Sequence, residues 1–231
     1  MNKKEKIIVL DVETAGSLES PLVYDLGFII TNKEGKIFEK YQFIISDIFD
    51  NSDLMKTAYY YNKLPKYLQG LEDKKMHKVS FAMAYATMQH LIKKYNIKNV
   101  FAYNAYFDSN ALNNTIRTLT KGQKKYFFPY GTQINCIWNM ACQVLYTQKT
   151  FYKEAIKNGW FTENGNLKTS AEIGFRYISG LNEFDEEHMG LQDVLIETMI
   201  MTRCFRQNKK MERNVNRLCW QIPTEFHKMA N

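Results

Sequence analysis

The sequence predicts an α/β domain built on a mixed sheet of five strands flanked by helices. Three observations carry this expectation. Ile7 to Leu10 is an unbroken apolar run ending in acidic residues, the pattern of a central strand buried on both faces whose carboxyl end carries function. Leu22 to Thr31 and Lys36 to Ile45 are β-rich runs separated by Asn32-Lys33-Glu34-Gly35, a hairpin turn in which glycine supplies positive φ. After these three strands the chain alternates helical periods with two more strand-like runs, Asn99 to Phe107 and Thr132 to Trp138.

The helical periods follow in order. Ser46 to Tyr95 reads as mostly helical, with Phe81, Tyr85, Met88 and Ile92 at spacings of three and four, a layer laid over the sheet. Ser109 to Leu119 is the helix leaving the fourth strand, with Leu112, Ile116 and Leu119 on one stripe, and a further helix begins near Asn139. Asn158 to Lys168 is a polar, glycine-containing turn region, after which Thr169 or Ser170 caps a helix reaching Ile178. Leu191 to Gln207 forms the next long helix, with Leu191, Leu195, Thr198, Thr202 and Phe205 on one stripe. Met76, Met83, Met88, Met199 and Met201 are expected to fill the core. No repeat, low-complexity tract or Pro/Gly linker divides the chain, so one domain is expected over 1–231, with a core of about 6–206 and a basic helical extension over about 207–231.

At 231 residues and 45% apolar composition the chain can bury one sizeable core. It has no run near the roughly 18 apolar residues that a membrane span requires. The basic start followed by Ile7 to Leu10 is too short for a secretory signal, and a cytoplasmic location is expected. Cys136, Cys142, Cys204 and Cys219 include no CxxC pair and no histidine at zinc-ligand spacing, which points to reduced, partly buried thiols. A net charge of +7 suits an anionic partner without establishing one.

The chemistry concentrates in acidic residues. Asp11 and Glu13 are two positions apart at the end of the first strand, so alternation points both carboxylates to one face, where a divalent cation would relieve their repulsion. Alone, the pair also suits a solvated strand end. Asp108 closes Asn104-Ala105-Tyr106-Phe107-Asp108 at the end of the fourth strand, where open α/β sheets gather functional groups; alone it suits a helix N-cap. His188 and Asp193 form an H-x4-D pair introduced by the acidic run Glu183 to Glu187. That spacing places His188 in a loop and Asp193 on the first turn or two of the following helix. Chance explains the combination poorly.

Asp11-Val12-Glu13-Thr14, Asn104 to Asp108, and His188 to Asp193 match, in order and approximate spacing, the three motifs of DnaQ-like, DEDDh-type exonucleases, which the chain therefore resembles. Tyr24-Asp25-Leu26-Gly27-Phe28-Ile29-Ile30 is similar to that family's second strand with its glycine, and the likeness runs from Lys6 to Phe205, loosely over Lys121 to Leu181. The stand-alone size is similar to phage-encoded members. The resemblance implies a ribonuclease H-like fold and a hydrolase that removes nucleoside monophosphates from nucleic-acid 3′ ends, single-stranded DNA favoured and RNA left open. It implies two Mg²⁺ or Mn²⁺ ions, with Asp11 bridging both, Glu13 and Asp193 completing the first, Asp108 supporting the second and His188 acting as general base. Thr14 is implied to contact the terminal nucleotide. Phe107, adjacent to Asp108, is set aside as core because strand alternation turns it away. Proofreading and end-trimming both stay open, as does a DNA polymerase as partner. The competing function is a catalytically silent module that grips nucleic acid or a polymerase.

Two weaker patterns remain. Tyr59, Tyr60, Tyr61 and Tyr67 interleave with Lys63, Lys66, Lys74, Lys75 and Lys78, the ingredients of a single-strand track, but equally of tyrosines packing a helix while lysines stay in water. No residue there is assigned a binding role. Arg203, Arg206, Lys210, Arg213 and Arg217 would align into one basic stripe on a continuing helix, which could hold duplex or simply face solvent.

Overall fold

A computed structural model describes residues 5–185 and 188–230. Its sheet has six strands in the order β4-β3-β2-β1-β5-β6: β1 (Ile7–Ala15), β2 (Leu22–Thr31), β3 (Glu39–Ile45), β4 (His77–Val79), β5 (Asn99–Ala102) and β6 (Gln133–Cys136). β1, β2 and β3 form an antiparallel meander; β4 joins β3 in parallel, and β5 and β6 extend the other side of β1 in parallel. The mixed sheet is as expected, but with one strand more. β4 is a three-residue edge strand inside a stretch that reads as helical, too short to show an alternation.

The helices are α1 (Ser46–Phe49), α2 (Ser52–Met55), α3 (Leu64–Glu72), α4 (Phe81–Tyr95), α5 (Ala105–Leu119), α6 (Ile137–Val144), α7 (Lys149–Asn158), α8 (Ala171–Ser179), α9 (Gly190–Arg206) and α10 (Gln221–Ala230), with a 3-10 turn at Tyr61–Lys63. Strand alternation divides the core in two. Ile8, Leu10, Leu26 and Phe28 pack with Met88 of α4 and Leu112 of α5. Ile7, Val9, Ile29 and Phe101 pack with Met140 of α6 and with Val194 and Ile200 of α9. The hairpin closes through the Asn32 side chain, which accepts the Glu34 and Lys36 N–H groups, while Gly35 takes φ 83°.

Several expectations need correcting. β5 stops at Ala102 and α5 begins at Ala105, so Tyr103 to Phe107 is not strand. The strand-forming tendency of these aromatics depends on cross-strand neighbours, and the pairing of β5 with β1 and β6 ends by Ala102. On α5, Leu112 and Ile116 are buried but Leu119, in the last position, is exposed. On α9, Leu191, Leu195 and Phe205 lie only half-buried along the margin. The fully buried face runs through Val194, Ile200, Met201 and Cys204, because the helix is held between the sheet and helices α6 and α8. Met76, Met88 and Met201 fill the core; Met83 and Met199 are exposed.

Nor does α9 continue into the basic segment. It ends at Arg206, and the chain then runs beside α6: Cys136 N–H donates to the Arg213 carbonyl at 2.7 Å, Asn139 Nδ2 to Asn214 O at 2.9 Å and Gln143 Nε2 to Glu212 O at 3.0 Å. Arg203 and Arg206 are therefore on a helix while Lys210, Arg213 and Arg217 are on a non-helical strap, and the single basic stripe does not form. All four cysteines are free and buried. Among the described residues no helix is long and apolar enough to cross a membrane.

The layers approach closely at Gly27. A Cβ added there would lie 2.1 Å from the Gly190 carbonyl carbon and 2.3 Å from Leu191 N, both backbone atoms that cannot swing aside. Gly27→Ala is expected to destabilise the chain by about 3 kcal/mol, read as a lowered urea midpoint. An unchanged midpoint would mean that α9 does not dock on β2 at this depth.

Candidate metal centre

Asp11 and Glu13 continue the alternation of Ile7 and Val9, so they share the sheet face that α9 covers. On the neighbouring strand Gly27 stands opposite Asp11 and Asp25 opposite Glu13. The bare Gly27 lets the start of α9 rest on the sheet backbone. Asp25, fully buried, locks it there: its Oδ2 accepts Gly190 N–H at 3.0 Å, Gln42 Nε2 at 3.0 Å and Tyr67 O–H at 2.9 Å. The first N–H groups of a helix lack intrahelical acceptors and carry its positive end, so a carboxylate suits that place. Burial pushes the Asp25 carboxyl up to about 6, with the hydrogen bonds from Gly190, Gln42 and Tyr67 pulling the other way.

So anchored, α9 presents Asp193 in its first turn and Glu197 one turn later on the same face, each only 3% exposed. Asp108 approaches from the first turn of α5 and is also buried. A cleft of about 520 Å³ is lined by Asp11, Glu13, Asp108, His188, Asp193 and Glu197, with Tyr60, Tyr103, Phe107 and Trp138 as aromatic walls. Among the described residues that line it there is no lysine or arginine. Ligand atoms of Glu13, His188 and Asp193 all lie within 4.8 Å of one another.

The electrostatics follow from that crowding. Burial holds the Asp11 carboxyl well above its ordinary value, and repulsion from Glu197, Asp108, Glu13 and Asp193, in that order, adds to it. Burial also raises Asp108 to about 7, against hydrogen bonds from its own N–H and that of Val12. His188 is shifted down, by burial first and then by the Lys63 charge. An oxygen-rich, anionic donor set of this kind fits Mg²⁺ or Mn²⁺, whose charge would favour the ionised form of every carboxyl in it.

Asp11, Glu13, Asp108, His188 and Asp193, separated by up to most of the chain, thus meet in one cleft. Thr14 does not line it; it follows a bulge between Glu13 and Thr14 where β1 shifts register against β2. Phe107, set aside on strand alternation, does line it, because it stands on a helical turn beside Asp108 where alternation has no force. Glu197 was missed. Its signal was an acid four residues after Asp193, on the same helical face. Its Oε2 accepts the Tyr103 N–H at 3.2 Å. The tyrosine-lysine segment divides: Tyr67 packs inside, Tyr59 and Tyr61 are exposed and Tyr60 lines the cleft. Of the acidic run before His188, Glu186 and Glu187 lie outside the described residues.

No family model and no curated protein matches the chain. Among solved structures it is similar to E. coli exonuclease I in complex with a 5cy-dT13 oligonucleotide, at 16% identity and TM-score 0.55, over 88% of this chain and 41% of that one. It is likewise similar to E. coli exonuclease I in complex with a dA16 oligonucleotide, at 12% identity and TM-score 0.51, over 88% and 42% of the two chains. The chain spans less than half the length of those proteins, and at these identities the likeness shows the fold, which is ribonuclease H-like.

Proposed function

We propose that this chain is a metal-dependent 3′ to 5′ exonuclease of the DEDDh type. The observation that carries the proposal is the convergence of five carboxyl groups and one histidine in a cleft whose described lining includes no lysine or arginine. A module that only binds nucleic acid gains nothing from burying such a self-repelling cluster beside a polyanion. The exonuclease I structures that share the fold hold dT13 and dA16 oligonucleotides, which favours single-stranded DNA as substrate. A chain charge of +7 around an acidic cleft would draw the strand in.

In this reading Asp11, Glu13, Asp108 and Asp193 would hold two Mg²⁺ or Mn²⁺ ions, with Glu197 adding a carboxylate beside Asp11. Bound there, the ions would supply charge stabilisation for the phosphoryl and leaving 3′ oxygens and ease deprotonation of water. His188 accepts the proton of the attacking water. Its depressed pKa keeps the imidazole neutral, and so able to accept, at physiological pH. The aromatic walls lower the local dielectric and so strengthen the charges they face.

Asp11→Ala and Asp193→Ala are expected to abolish Mg²⁺-dependent release of mononucleotides from a labelled single-stranded oligonucleotide while retaining a cooperative melt. A folded variant with parental rates at saturating Mg²⁺ would refute the metal assignment.

The metal-free protein offers a second check. Asp108 titrates near 7 when folded and at an ordinary value near 3.8 when unfolded, so the folded state holds its proton more tightly and loses stability as pH rises from about 4 through 7. In EDTA, Asp108→Asn should melt above the parent at pH 8 and lose that advantage toward pH 4. Equal melting of the two proteins at pH 8 would contradict a strained carboxyl here.

His188→Ala should lower turnover by roughly 10² to 10⁴ and leave Mn²⁺ affinity nearly parental. The parental rate should fall with acid along a limb below the ordinary histidine value of 6.5, because burial and Lys63 disfavour the imidazolium. The variant should lack that limb. A parallel loss of Mn²⁺ affinity would make His188 a ligand to the metal, as its closeness to Glu13 and Asp193 permits.

A further inference from the structure

His188 stands two residues before α9 with φ 50°, a left-handed conformation uncommon for a non-glycine residue. One constraint is the Asp25 carboxylate on Gly190 N–H just downstream. The other comes from a distant part of the chain. The His188 imidazole lies face to face on the Tyr60 ring, with centroids 4.2 Å apart and planes inclined by 12°, and Lys63 Nζ is 5.0 Å from the Tyr60 centroid.

Tyr60 is itself held. Thr57 Oγ1 accepts the Gly16 N–H just beyond β1 at 2.7 Å and donates to the Leu54 carbonyl at 2.6 Å. Tyr61 N–H then bonds Ala58 O at 3.1 Å, and Lys63 N–H bonds Tyr60 O at 2.9 Å, closing the 3-10 turn. The segment is thereby tied to the end of the strand that carries Asp11 and Glu13. Its ring meets the histidine across the cleft that both line.

We propose that Tyr60 is a positioning residue for His188, its ring serving as the platform that keeps the imidazole beside Glu13 and Asp193. The inference rests on the proposed role of His188, but the contact itself can be read without metal or substrate. An aromatic stack contributes enough to change the population of the aligned loop by about 3- to 10-fold. The stack is made by the ring face, so phenylalanine should preserve it.

The test uses the full metal-free chain with isotope-labelled histidine, the His188 signals being assigned by their loss in His188→Gln. The His188 ring protons should be displaced upfield by the Tyr60 ring in the parent and in Tyr60→Phe, and should return to unstacked positions in Tyr60→Leu. With a labelled single-stranded oligonucleotide and saturating Mg²⁺, Tyr60→Leu should lower kcat about 3- to 10-fold at nearly constant KM, and Tyr60→Phe should stay parental. Unchanged ring shifts in Tyr60→Leu would overturn the inference, as would a rise in KM at parental kcat, which would make Tyr60 a substrate contact. A parent without nuclease activity would overturn the proposed function and the catalytic side of this inference, while the ring shifts would still show whether Tyr60 holds His188.

Discussion

The backbone contact between Gly27 and Gly190, sealed by the Asp25 carboxylate on the Gly190 N–H, governs the architecture of the cleft. A side chain at Gly27 would lift α9 away from the sheet, and with it Asp193 and Glu197, whose carboxylates have meaning only within reach of Asp11. Because Gly27 is the β2 neighbour of Asp11, the bare position lies beside the first carboxylate, where close approach matters most. Asp25 then fixes the helix along its axis. The cost of burying this carboxylate is partly offset by three hydrogen bonds and by the positive end of a helix of 17 residues.

That anchor bears an electrostatic load. Asp11, Glu13, Asp108, Asp193 and Glu197 come from β1, α5 and α9, elements that would separate if repulsion alone acted on them. They are held together from outside the cleft. Ile7 to Leu10 are buried on both faces of the sheet, and Val194 and Ile200 continue the apolar contact along α9 beyond Asp193. Hydrophobic burial, spread over many side chains, thus sustains a local unfavourable term. The raised pKa values of Asp11 and Asp108 show where that term is concentrated.

The aromatic wall has two layers of dependence. Trp138 and Tyr103 are tied to the segment before α8, through Trp138 Nε1 to Thr169 Oγ1 at 2.9 Å and Tyr103 O–H to Thr169 O at 2.6 Å. Tyr60 is tied to the end of β1 through Thr57 and Gly16. One side of the cleft is thus braced on the segment before α8 and the other on the end of the strand that carries Asp11 and Glu13, which makes the aromatic surfaces part of a preorganised site.

The sequence by itself determined what is local. Apolar runs and alternation defined β1 and the common face of Asp11 and Glu13; the Asn32 to Gly35 turn defined the β2–β3 hairpin; the cap of α8 was legible as Thr169 or Ser170, and Ser170 takes it, accepting the Ile173 N–H. The H-x4-D spacing placed His188 in a loop and Asp193 on the first turn of α9. Only the tertiary structure decided that Tyr103 to Phe107 leave the sheet, that β4 adds to its edge, that Leu119 and Met83 face outward and that the chain after Arg206 becomes a strap along α6. It alone brought Glu197 beside Asp11 and Tyr60 onto His188. The physical reason is range: periods of two and 3.6 residues report which way a side chain points from its own element. What it then meets depends on the approach of other elements, and here that approach is set by the absence of a side chain at Gly27.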